Sequence, residues 1–136
     1  MACILLFLTL FTACHNHLVG NETLSIEVIK ITGSDSTTGQ LTLEDINGRP
    51  ADVFSISPGA KMQWLLKAET VKDITNIYAK PDNPNVFSHG PRRRGNSVNW
   101  GGQIDSQATG KEENYNIDWT DKAGNPHTFD PKIQVK

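Results

Sequence analysis

Thiols are almost absent from this chain. Its only cysteines are Cys3 and Cys14, so everything beyond Cys14 is thiol-free. That excludes a disulfide, a thiolate metal ligand and a cysteine nucleophile from the body. A surplus of one charge is missing too: 13 basic residues stand against 15 acidic ones, a formal net charge of -2. The chain therefore has no overall basic footprint for nucleic acid and no polyacidic tail. Hydrophobic content is only 37%, and part of it sits before Cys14. The rest is polar, with Gly, Asn, Asp, Ser and Thr spread through it, which suits short strands joined by turns better than long helices. Gly-x-Ser-x-Gly, His-Glu-x-x-His, a phosphate loop and the periodic acids of an EF-hand are all absent. No spacing sets a nucleophile beside a base. No catalytic residue, metal site or cofactor is expected, and the protein reads as non-enzymatic.

The one long apolar run is Ile4-Leu5-Leu6-Phe7-Leu8-Thr9-Leu10-Phe11. It is too short to span a bilayer as a helix, which takes roughly 20 residues, but it has signal-peptide size. Phe11-Thr12-Ala13-Cys14 follows, and small residues just before a cysteine resemble the lipobox of bacterial lipoproteins. The resemblance implies cleavage after Ala13, lipidation of Cys14 and a membrane partner through that lipid. Residues 1–13 are then a signal peptide, 14–23 a lipidated tether and 24–136 the folded domain. The implied location is the bacterial cell envelope, outside the cytoplasm; the alternative is a plain periplasmic or secreted protein.

Past the tether, extended segments follow one another at short intervals. Leu24 to Ile31 alternates until Val28 and Ile29, both apolar, suggest a bulge. Leu41-Thr42-Leu43 and Val53 to Ile56 are short strands, separated by an Asn47-Gly48 turn. Met62, Trp64 and Leu66 alternate against Lys61, Gln63 and Leu65. Val71 to Tyr78 is rich in β-branched residues and reads as a strand. Val98, Trp100, Gly102 and Ile104 alternate again. The clearest hairpin is Tyr115 to Phe129: Tyr115, Ile117 and Trp119 share one face, and Asp121 to Gly124 turns the chain. Lys132 to Lys136 closes the sheet. The expectation is a single antiparallel β-sandwich of about eight or nine strands.

Around Pro58-Gly59 and Trp64 the chain resembles cupredoxin and immunoglobulin-like sandwiches, where a tight turn leads into a strand with an inward aromatic. A short last strand, Ile133-Gln134-Val135, fits the same pattern. The likeness implies a sandwich without copper, since a blue-copper site wants two His and a Cys.

Candidate ligand-binding residues are few. His89-Gly90-Pro91-Arg92-Arg93-Arg94-Gly95-Asn96 is the longest basic run, and arginines fanning out from such a loop suit phosphate, sulfated sugar or an acidic partner. Adjacent arginines cannot all point one way on a strand. Trp64 and Trp119 sit beside aliphatics and belong to the core; Trp100, flanked by Asn99 and Gly101, is a candidate sugar platform. Glu112 and Glu113 read as a solvated strand entry. The leading expectation is an envelope lipoprotein that binds or supports a glycan or protein partner, not nucleic acid. Alternatives are a carbohydrate-binding module and a hydrolase of envelope polymers. The hydrolase requires His89 or His127 beside a carboxylate.

Overall fold

The computed structural model describes residues 24–136. The apolar run from Ile4 to Phe11, the expected lipidation site Cys14 and the tether lie outside the described residues. Among these residues there is no helix, and there are ten strands. They are β1 (Ile26–Asp35), β2 (Gln40–Glu44), β3 (Val53–Ile56), β4 (Lys61–Leu66), β5 (Val71–Ala79), β6 (Phe87–Arg93), β7 (Trp100–Ile104), β8 (Glu112–Asp121), β9 (Pro126–Phe129) and β10 (Lys132–Val135). One sheet has the order β2-β1-β4-β7-β6. The other has the order β3-β10-β8-β5, with β9 also paired to β8. The two sheets make an all-β sandwich.

Most pairings are antiparallel, as expected, but two are parallel: β1 with β4, and β10 with β3. Parallel neighbours need a crossover rather than a hairpin. The excursion through β3 in the other sheet provides it, carrying the chain away from β2 and returning it on the far side of β1.

The sequence alternation becomes the core. Along β8 every second residue from Glu113 to Asp121 is buried. Met62 and Trp64 face them from β4. The Trp64 and Tyr115 rings meet edge to face at 5.9 Å, and the Trp64 indole N–H donates to the Tyr115 hydroxyl oxygen at 3.2 Å. Such aromatic pairs contribute about 0.5–1.5 kcal/mol beyond the area they bury. Trp119 does the same job at the other end of the strand, where its N–H donates to the Gly39 carbonyl at 3.1 Å and ties the hairpin to the β1–β2 turn.

Two local expectations are corrected. The irregularity in β1 falls between Ile31 and Gly33, not at Val28 and Ile29; Val28 simply faces outward while Ile29 faces in. Glu113 is fully buried rather than solvated. Its parity along β8 matches that of Tyr115, and parity outweighs polarity when the flanking residues fix the register.

Candidate functional site

The outer face of the first sheet is built from strands distant in sequence. Strand registers set its rows. Ile26 of β1 stands beside Lys61 of β4, then Gln103 of β7, then His89 of β6. The next row is Val28, Gln63, Gly101 and Arg92. Over the β4-β7-β6 part of this face lies an open groove of about 750 Å³. Its walls carry Lys61, His89, Arg92 and Arg94, and its floor is Gly101 and Gly102.

Glycine makes the floor possible. At Gly90, φ is +75°, and a Cβ would lie 2.8 Å from the Gly101 carbonyl oxygen, a contact no backbone could relieve cheaply. At Gly101 a Cβ would meet the Arg94 side-chain stem at 3.2 Å, so the arginine lies across the glycine and carries its charge over the groove. The basic run is therefore only in part the loop expected from Gly90-Pro91. Up to Arg93 it is an edge strand with two register shifts, and Arg94 to Asn96 form the turn beyond it; an edge is where a strand tolerates proline.

Strand alternation sorts the arginines. Arg93 turns to the other sheet: it holds Asp73 of β5 through two bonds of 2.9 Å and donates to the Ile74 carbonyl at 2.7 Å. Its guanidinium also lies 5.6 Å from the Trp100 ring centre. The Asp73 carboxylate raises the Arg93 pKa further. Arg93 thus fastens the two sheet edges together. Arg92 and Arg94 stay exposed, and among the described residues neither they nor Lys61 has a carboxylate within ion-pair distance.

Trp100 lies beneath this surface, 7% exposed, with its indole N–H donating to the Ile74 carbonyl at 3.2 Å. Its ring is packed in the core and offers no open face. His89 is exposed at the groove wall, its Nδ1 3.2 Å from the Ser88 hydroxyl. The structure therefore brings together His89, Arg92 and Arg94; Arg93 also lines the groove but commits its guanidinium to Asp73, and Trp100 lies in the core. Lys61, Gln63 and Gln103 are the site residues missed from sequence. The alternation marks Lys61 and Gln63 as outward, but not that β4 pairs with β7.

A second polar cluster sits in the β8–β9 hairpin. The Asp121 carboxylate accepts from the Asn125 backbone N–H at 2.9 Å and the Asn125 amide at 3.0 Å, with His127 Nε2 at 3.2 Å. These donors hold the Asp121 pKa well below the usual carboxylate range. The His127 ring stacks on Trp119 at 4.3 Å. A histidine and a carboxylate do meet, but the nearby Thr128 hydroxyl donates to Asp118 at 2.7 Å and not to His127. Among the described residues no three His, Cys, Asp or Glu side chains cluster as a metal would need. Among the described residues there is no thiol, and His89 and His127 lie on separate elements, so these donors do not make up a blue-copper set.

Comparison with protein-family models and with curated proteins returns no match.

Proposed function

We propose that the chain is a binding module of the bacterial cell envelope, anchored through Cys14, whose groove takes an anionic ligand carrying phosphate or sulfate. One observation carries the reading: Arg92 and Arg94 flank a glycine floor with Lys61 opposite, and among the described residues no carboxylate lines the groove. Unpaired cations around an open floor leave several charge-assisted donors to converge on one anion. The anchor rests on the Ala13-Cys14 context and the thiol-free body. Within sandwiches, the cupredoxin-like kind without copper fits better than the immunoglobulin-like kind, because the parallel pairs β1–β4 and β10–β3 depart from the antiparallel sheets of the latter.

The test is a titration with inorganic phosphate and polyphosphate, with glucose as the neutral control, following the backbone amides of Gly101, Gly102 and Gln103 by NMR. Saturable shifts are expected with the anions alone, weakening as salt rises. Arg92→Gln together with Arg94→Gln should lower affinity by at least about tenfold, since a hydrogen bond to a charged group is worth about 1.5–3 kcal/mol. Groove amides that ignore every anion would refute the reading.

The meeting of His127 and Asp121 favours the hydrolase as a second reading. It predicts that His127→Ala abolishes cleavage of an envelope polymer, measured by release of soluble fragments.

A further inference from the structure

Beyond the groove, the same outer face holds a set of exposed apolar side chains. Ile26, at the start of β1, is 58% exposed, Leu24 just before the strand is 47% exposed, and Val28 follows Ile26 in the outward parity. Ile26 is the register partner of Lys61, so the apolar strip and the groove wall are contiguous. Lys30, two positions on, faces Glu44 of β2 as its register partner, and Asp35 lies further along β1, so the acids of this face gather on the β1–β2 side and the free cations on the β4–β6 side. An apolar strip rimmed by unpaired cations has the chemistry of an interfacial surface: the aliphatic groups enter the headgroup boundary while Lys and Arg meet lipid phosphates.

The direction of the chain points the same way. The segment expected to bear the lipid arrives at Leu24, beside this strip. From Cys14 to Leu24 there are roughly ten residues, which span at most about 35 Å when extended. A lipid at Cys14 would hold the start of β1 near the bilayer, and the outer face of the first sheet is the cationic surface beside it.

We infer that this face docks on an anionic leaflet, with lipid phosphate in the Arg92–Arg94 groove and Leu24 and Ile26 at the headgroup boundary. The inference rests on the groove reading and names its ligand as the headgroup of an anionic phospholipid.

The full chain is reconstituted in vesicles of phosphatidylcholine alone or mixed with phosphatidylglycerol. A water-soluble amine reagent then reports the reactivity of Lys61, on the docking face, against Lys72, exposed on β5 in the opposite sheet. Lys61 is expected to slow in the phosphatidylglycerol vesicles while Lys72 does not change. Arg92→Gln with Arg94→Gln should weaken docking about 25-fold, roughly five-fold for each charge removed near an anionic surface. The matching Arg→Lys pair should keep the protection, which separates lost charge from a misfolded sheet. Equal Lys61 reactivity in the two lipid compositions, or no association with either vesicle, overturns the inference. Groove amides that respond to inorganic phosphate without lipid-dependent protection of Lys61 leave the anion site standing and remove the membrane as its ligand.

Discussion

Glu113 and Asp121 lie near the two ends of β8, both facing the interior, and the chain answers their charges differently. Asp121 is met by the Asn125 backbone and the Asn125 amide from the turn it opens, and by His127 of β9. Glu113 has one donor, the Val86 backbone N–H at 2.6 Å, and its Oε1 has no hydrogen-bond partner among the described residues. Burial raises the Glu113 pKa, opposed only by that one bond, while the hydrogen bonds lower that of Asp121. Burial alone thus does not set the sign. What decides it is how many donors the fold aims at the carboxylate. The Asp121 end is a finished clamp, and the Glu113 end carries an unmet polar cost of about 1–3 kcal/mol.

The largest blow to this contrast is expected from Trp119→Ala, which removes both the ring under His127 and the bond to Gly39. A loss of about 3–5 kcal/mol should appear in urea unfolding, with the β1–β2 turn loosened at the same time. An effect under about 1 kcal/mol would show that the clamp stands without its aromatic base.

Glu113→Gln sharpens the contrast at the other end. A carboxyl whose pKa is raised on folding favours the native state below its unfolded value of 4.5, and that favour is lost as pH rises through the folded value. The native protein should therefore lose stability on going from mildly acid to neutral pH. The glutamine variant should not, and should gain on the order of 1 kcal/mol at neutral pH, read from thermal midpoints across a pH series.

Asp121→Asn is expected to have the smallest effect and the opposite sign. A depressed carboxyl stabilises above its unfolded value of 3.8 and loses that contribution as pH falls towards the folded value. The variant should melt a few degrees lower at neutral pH and converge with the parent in strong acid. A gap that persists unchanged at low pH would mean that shape, not charge, holds the turn.

Much of the architecture was legible because it follows from parity. Tyr115, Ile117 and Trp119 alternate in the sequence and are buried in alternation, and Gly124 takes the positive φ the turn needs. The β-branched run from Val71 proved to be a strand. The site was only half legible. His89 and the arginines stood out as a charged run, but Gly90-Pro91 hid the strand that separates Arg93 from its neighbours. Trp100 appeared thinly surrounded because its partner, the Ile74 carbonyl, comes from the other sheet. Glu113 misled for the same reason: its single donor lies 27 positions away in the chain. Long-range pairing decides such residues, and no local pattern carries it.

The last described strand, β10, is an interior member of its sheet, hydrogen-bonded to β3 on one side and β8 on the other. During vectorial synthesis, β3 and β8 have no shared partner until Ile133 to Val135 have emerged. Sheet closure therefore waits for β10, and it is joined by contacts far apart in sequence and correspondingly slow to nucleate. A nascent chain lacking those residues would leave β3 without its hydrogen-bonded neighbour in the sheet.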